Sequence, residues 1–345
     1  MRIGYSFWGF LGPGVVDTPD GGRIHRRTLI DGLRSRGHEL VFLQPNRDLT
    51  EAGCDYTTTY QWDTGLPDID VLFFEWRWPI PGRNTTTCGT PGHTCDLHRQ
   101  AELLDHYTGR GVFTIVWDKD RQLAADDPLR SQYHVAVAEA ALHPTVGAWP
   151  LLFPVADQTL AGADPAALAR LPRDLPLVYI GNQYDRDEAF DQFFAPAAAR
   201  VLHQVAGKWT DTRRWPHVNF TGRIPFPTVE RLYRRSLATV LLLPDRYATA
   251  GQMTQRLFEA VLAGCLPLTP TTIRSADQLT PRWLHVTTGA EVHRKLVQLW
   301  QLAGTGRHEQ MIAACLKLLE PFRLSRQLRI IDHVLSGVRS RMVLR

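Results

Sequence analysis

Residues 251–270 read GQMTQRLFEAVLAGCLPLTP. Met253, Leu257 and Val261 fall on one helical stripe, with Phe258 and Leu262 beside it, so the spacing predicts a helix over 254–263 with its apolar face on a core. An Ala-Gly turn follows, and then CLPLT, a short apolar run that suits a buried strand. A helix that feeds directly into a buried strand is half of a β-α-β unit. Arg256 and Glu259 sit one turn apart on the other edge of that helix and can point together.

The same alternation runs outward in both directions. Upstream in the second half, PLVYIGN (176–182) reads as a strand and 187–207 as a helix interrupted near Pro196. A strand at 217–221, a helix at 227–236 and the strand LATVLLLP follow. The first half opens with a strand at 2–7, then a Gly/Pro-rich loop. A helix through Ile24, Thr28, Leu29 and Leu33 stops at Arg36-Gly37, and HELVFLQP is the next strand. DVLFFEW (70–76) and VFTIVWD (112–118) are apolar enough for strands buried on both faces, with a helix at 97–111 between them. Residues 134–142 and 148–155 supply short last elements of this half. The expected fold is therefore α/β, with two Rossmann-like doubly wound domains. They span 1–160 and 176–325, joined by an Ala/Pro/Asp-rich linker at 161–175 and followed by a C-terminal helix at 326–345.

Bulk properties narrow the function. The 345 residues carry a formal charge of +4, with no Lys/Arg block, so nucleic acid is not an expected partner. No long apolar run suits a membrane span, and the opening MRIGYSFWGF does not resemble a signal peptide, so a cytoplasmic protein is expected. The five cysteines are then read as free thiols. The glycines after the first strand fit no G-x-G-x-x-G spacing, and no G-x-x-x-x-G-K-[ST] exists, so a nicotinamide enzyme is a weak candidate. The long loop is either a plain surface loop or a place where Gly21 and Gly22 let backbone approach a ligand, flanked by Asp17 and Arg23.

Three stretches, LVYIGNQYDRDEAF, HVNFTGRIPFPTVERLYRRSLATVLLLP and QRLFEAVLAGCLPLTP, resemble the nucleotide-binding domain of GT-B glycosyltransferases. The last looks most like the spore-maturation-type branch, and VWDKD (116–120) and LLFPVADQ fit the same branch. The resemblance implies a GT-B fold, two Rossmann-like domains facing a cleft, with the nucleotide in the second domain and the acceptor in the first. Glu259 would accept hydrogen bonds from the two ribose hydroxyls, and a carboxylate suits that pair of donors. The chain from Gly251 through Gln252, Thr254 and Gln255 would face the diphosphate, with Arg256 neutralising part of its charge. In the resemblance, the loops with Gly181, Arg186 and Arg223 line the nucleotide site. Many retaining relatives carry a second glutamate shortly before the first; here that place is Gly251, with Gln252 beside it.

On the acceptor side the residues that end strands are Glu75, Trp76 and Arg77, then Asp118, Lys119 and Asp120. Asp17, Asp118 and Asp120 are the candidate catalytic carboxylates, and the others, with Gly21, Gly22 and Arg23, are candidate acceptor contacts. Cys88, His93, Cys95 and His98 invite a metal reading, but Cys-x4-His-x-Cys-x2-His matches no common zinc pattern. The segment is read as an acceptor loop, with Trp76 and Trp78 as stacking surface, or as an ordinary loop. No metal and no cofactor beyond the nucleotide sugar are expected.

The resulting expectation is a retaining, metal-independent glycosyltransferase that moves a sugar from a nucleotide diphosphate sugar to a small soluble acceptor. An Arg- and Ala-rich composition suits a natural-product pathway, and leaves a thiol acceptor and a homodimer open. A nucleotide-sugar 2-epimerase of the same fold would turn over donor without acceptor. A non-catalytic binding protein would consume none.

Overall fold

The computed structural model describes residues 1–16 and 18–343. The chain divides into two compact units, one of residues 1–154 with 324–345 and the other of residues 155–323. The helix Leu324–Val343 therefore belongs with the first unit, where Leu324 and Leu328 lie against Gly32 of the helix Arg26–Ser35. Residues 161–175 do not form an open linker. They carry the end of one short helix, Asp157–Ala161, and all of another, Pro165–Ala169, within the second unit.

The first unit is built on β1 (Arg2–Ser6), β2 (Glu39–Phe42), β3 (Gln61–Trp62), β4 (Val71–Glu75), β5 (Phe113–Asp118), β6 (Val135–Glu139) and β7 (Trp149–Pro150). All pairings are parallel, and the order is β3-β2-β1-β4-β5-β6-β7. β4 and β5 are buried along their whole length, which is why their sequences show no alternation. Val41, Leu43, Leu72 and Phe74 pack with Leu103, Leu104 and Tyr107 of the helix Asp96–Gly109. The order reverses direction between β1 and β4. In open α/β sheets the carboxyl ends of the strands at such a reversal are where ligands bind.

The second unit holds β8 (Leu175–Ile180), β9 (His203–Ala206), β10 (Ser236–Val240), β11 (Leu266–Pro270) and β12 (His285–Val286), again all parallel. Its order, β12-β11-β10-β8-β9, places the reversal between β8 and β10. The helix read from the opening stretch spans Arg256–Leu262, with Leu257, Phe258, Ala260 and Val261 buried, and runs through a turn into β11.

Two expectations need correction. The helix expected over 187–207 ends at Ala198, and its last residues form β9. A π-helical stretch, Phe190–Phe194, precedes Pro196, and this widening accommodates a residue that cannot donate its backbone hydrogen bond. With four residues, β9 is too short to register against the surrounding Ala-rich helix pattern. The strand expected at 217–221 is reduced to one bridge, Val205 with Phe220.

The ends of β8 and β9 come unusually close. Gly207 follows β9 at φ +140°, and a Cβ placed on it would lie 2.1 Å from the Gly181 carbonyl oxygen. Gly207→Ala should therefore destabilise the chain by roughly 2–4 kcal/mol through overpacking and a backbone conformation that favours glycine. Urea denaturation checks this, and an unchanged midpoint would refute the close approach.

Candidate functional site

Each sheet carries a charged group at its reversal, and the two groups differ in kind. In the first unit, Arg26 occupies the first position of a helical stripe continued by Leu29, Ile30 and Leu33, so its side chain enters the core. It meets the Glu75 carboxylate at the end of β4, with Nε to Oε1 at 2.9 Å and Nη2 to Oε2 at 2.7 Å. The same guanidinium donates to Asp20 at 2.8 Å and to the Phe10 carbonyl at 3.0 Å. Lys119, just past β5, donates to Glu75 at 2.5 Å and also to Asp20. Tyr5 Oη donates to Glu75 at 2.7 Å. Two carboxylates and two cations thus close a neutral set, with side chains no more than 6% exposed.

The electrostatics follow. Burial alone would raise the Glu75 carboxyl, but Arg26 and Lys119 outweigh it and bring it down to about 2. Asp20 is held below the ordinary carboxylate range by the same balance. Beside them, His25 is sealed between Trp117 and Phe153, and burial with the Lys119 charge lowers it to about 3, so it stays neutral.

This arrangement revises the acceptor side. Glu75 and Lys119 are buried and mutually saturated, so they position the strand ends rather than present a free group. Arg77 is 1% exposed and donates to the Phe7 carbonyl at 2.6 Å and Ser6 Oγ at 3.0 Å. Asp118 is also enclosed, and its carboxylate accepts from the backbone N–H groups of Asp120, Gln122 and Leu123 at 3.3, 3.1 and 2.8 Å. It organises its own loop, where Arg121 adopts φ +53°. Trp78 is core, edge-on to Trp8 at 5.1 Å, not a stacking surface. Gly22 is fixed by Arg26, whose guanidinium would lie 2.2 Å from an added Cβ, while Arg23 ties the loop to Val15 O and Thr18 Oγ1. Gly21, Trp76 and Asp120 stay half-exposed. Asp17 lies outside the described residues. Sequence reasoning missed Arg26 and Tyr5. The available signal was a charge at a core position of an otherwise apolar stripe.

In the second unit the charges are not balanced in this way. Arg186 follows β8 and is 6% exposed. Its Nε donates to the Leu242 carbonyl, past the end of β10, at 3.2 Å, so it bridges the β8/β10 reversal. Its Nη1 donates to the Tyr184 carbonyl at 2.5 Å. Burial lowers its affinity for a proton, and the nearby Arg256 and Arg246 charges act in the same direction. Arg256 does not extend outward beside Glu259. It folds onto Gly181, donates to the Ile180 carbonyl and lies 5.7 Å from the Tyr179 ring centre. A Cβ on Gly181 would lie 2.5 Å from the Arg256 guanidinium, so a larger residue there would displace that group. Arg246, which sequence reasoning missed, pairs with Asp185 at 2.6 Å. Among the described residues, neither Arg186 nor Arg256 is in an ion pair.

The loop before the helix Arg256–Leu262 is buried at Gly251, Gln252 and Thr254, with Gly251 at φ +59°. Gln255 and Glu259 are half-exposed on the same segment. Arg223 is exposed, in a loop beyond β9. The structure thus gathers Gly181, Arg186, Thr254 and Arg256 around the end of β8.

No family model matches the chain, and no curated protein matches it by sequence. Solved structures do match its fold. The DNA-modifying enzyme β-glucosyltransferase, whose T4 phage form is known with UDP-glucose, has a TM-score of 0.62 and 12% identity over 98% of this chain and 100% of its own. Anabaena Alr3699/HepE, in complex with UDP-glucose, has a TM-score of 0.56 and 9% identity over 97% and 100%. AviGT4, a glycosyltransferase of avilamycin A biosynthesis, has a TM-score of 0.53 and 14% identity over 98% and 97%. At these identities the likeness establishes the GT-B fold.

The balanced network predicts acid sensitivity. Because Glu75 and His25 both have lowered proton affinity in the folded state, their stabilisation is complete above their unfolded pKa values. It declines as pH falls, from about 6.5 for His25 and about 4.5 for Glu75. Glu75→Gln should cost about 3–5 kcal/mol at pH 7, since it leaves two buried cations with one carboxylate. The difference from wild type should shrink as pH approaches the folded value near 2. Denaturant titrations at several pH values measure both effects.

Proposed function

We propose that the chain is a glycosyltransferase that moves a sugar from a nucleotide diphosphate sugar to a small soluble acceptor. The observation that carries this reading is Arg186, a buried guanidinium at the β8/β10 reversal whose hydrogen bonds go to neutral carbonyl oxygens, with Arg256 beside it. A buried cation without a counter-charge is costly, and a diphosphate supplies one. Support also comes from the GT-B fold, and from structural neighbours described as glycosyltransferases or solved with UDP-glucose.

In this reading Arg186 and Arg256 bind the diphosphate and stabilise its charge as it leaves. Glu259, half-exposed one turn beyond Arg256, accepts from the ribose hydroxyls, while Gly251, Gln252, Thr254 and Gln255 border the donor and Arg223 lies at the rim. Gly21, Trp76 and Asp120 are assigned to the acceptor, with Asp120 as the carboxylate that receives a proton. We further propose retention of configuration and metal-independent donor binding, because the two arginines already supply positive charge at the leaving group.

A thermal-shift panel of UDP, GDP, dTDP and ADP tests the reading. One diphosphate should stabilise the chain above its own nucleoside, with Mg2+ or Mn2+ making no difference. Glu259→Ala should weaken that nucleotide by about 1.5–3 kcal/mol, the worth of hydrogen bonds to a charged acceptor. Unchanged affinity in Glu259→Ala would remove the ribose assignment, and no shift with any diphosphate would remove the function.

A further inference from the structure

Residues 88–98, which span the end of the loop after β4 and the start of the helix Asp96–Gly109, have no role in the function above, yet they gather four ligating side chains. Cys88, His93, Cys95 and His98 each offer a ligand atom, and these atoms all lie within 4.8 Å of one another. The two sulfurs are 3.9 Å apart, and Cys88 Sγ lies 3.0 Å from His98 Nδ1. A tetrahedral zinc ion with sulfur and nitrogen ligands needs ligand–ligand edges of about 3.3–3.8 Å. The observed separations require only small adjustments around a central ion.

A second observation points the same way. His93 Nδ1 is 3.0 Å from Thr86 Oγ1, while its Nε2 is sealed from water and meets no hydrogen-bond partner among the described residues. A buried imidazole nitrogen left in this state is costly. If Nδ1 donates to Thr86, Nε2 carries the lone pair that a metal takes, which is how ligating histidines are commonly oriented.

The surroundings hold the loop in place for this role. Asn84 fixes the turn through Ile80 N at 2.6 Å and the Trp78 carbonyl at 3.1 Å. Thr94 N donates to the Arg83 carbonyl at 2.9 Å, and Arg83 pairs with Asp96 at 3.8 Å. Cys95 and His98 are placed by the start of the helix, and Cys88 and His93 by turns at Gly89 and Gly92, both with positive φ. The unusual sequence spacing is thus met by a loop that folds back on a helix end.

We propose that Cys88, His93, Cys95 and His98 form a structural zinc site. Two thiolates and two neutral imidazoles suit Zn2+, and four protein ligands close its coordination, which is the pattern of a structural rather than a catalytic ion. Binding releases the two thiol protons and leaves a site of zero net charge. The ion ties the loop after β4, with Trp76 and Arg77 at its root, to the helix that follows.

The full chain, purified in reducing buffer without chelator, should contain about one zinc per chain by elemental mass spectrometry. After exchange, Co2+ should give the intense visible bands of a tetrahedral site and a thiolate-to-cobalt charge-transfer band. Cys88→Ser with Cys95→Ser should abolish both, with the far-ultraviolet circular dichroism of the sheets retained. Thr86→Val, which removes only the partner of His93 Nδ1, should weaken zinc about tenfold or more in a chelator competition. The proposal is overturned by substoichiometric zinc in protein whose thiols are fully reduced. A double cysteine variant that keeps its metal, a cobalt spectrum without the charge-transfer band, or a Cys88–Cys95 disulfide in the reducing preparation would each overturn it as well.

Discussion

A charge taken out of water must find an opposite charge or a set of polar atoms that replaces its hydration, and that constraint shapes both units at the point where each sheet reverses its strand order. In the first unit the requirement is met within the chain, as Asp20, Arg26, Glu75 and Lys119 neutralise one another. These residues come from a loop, a helix and two strand ends, so the set fixes the relative positions of the segments leaving β1, β4 and β5. Removing one member would leave a buried charge that no neighbour can compensate. In the second unit Arg186 is buried against carbonyl oxygens, with Arg256 close enough to add to its electrostatic cost. Arg77 in the first unit is also buried against neutral oxygens, so what sets Arg186 apart is the second guanidinium, Arg256, beside it at the strand reversal, and the proposed function rests on that pair.

Much of this was legible in the sequence. The apolar runs 70–76 and 112–118 and the helix before CLPLT stated an α/β fold, because parallel strands buried on both faces cannot alternate. What the sequence concealed has physical causes. β9 was absorbed into a helix because four residues carry too little pattern beside an Ala-rich stretch. The strand-end residues Glu75, Arg77, Asp118 and Lys119 were rightly placed at the ends of strands, but a strand end can point into the interior as well as to a ligand. The partners of Glu75 and Lys119, Arg26 and Asp20, lie far away in sequence, and pairing over such a distance leaves no periodic trace. Arg256 shows the same limit: its helical position offers Glu259 as a neighbour, whereas its side chain turns back over Gly181. Cys88, His93, Cys95 and His98 were dismissed on spacing, yet two glycine turns bring together what the linear pattern separates.

The fold alone would not distinguish this chain among many activities, since sites rather than architectures carry chemistry. Its similarity to β-glucosyltransferase, Alr3699/HepE and AviGT4 is a similarity of fold at low identity. The functional reading therefore rests on particular atoms, above all on the guanidinium that joins the ends of β8 and β10. The Cys/His cluster is independent of that guanidinium. It concerns how a long loop after β4 is held, and it would stand whatever the donor proves to be.

The direct measurement is a calorimetric titration of the chain with its preferred nucleoside diphosphate and with the parent nucleoside. Two charge-assisted contacts from Arg186 and Arg256 should make the diphosphate bind at least ~100-fold more tightly, and Arg186→Met should remove much of that advantage. Equal affinity for nucleoside and diphosphate would contradict the account.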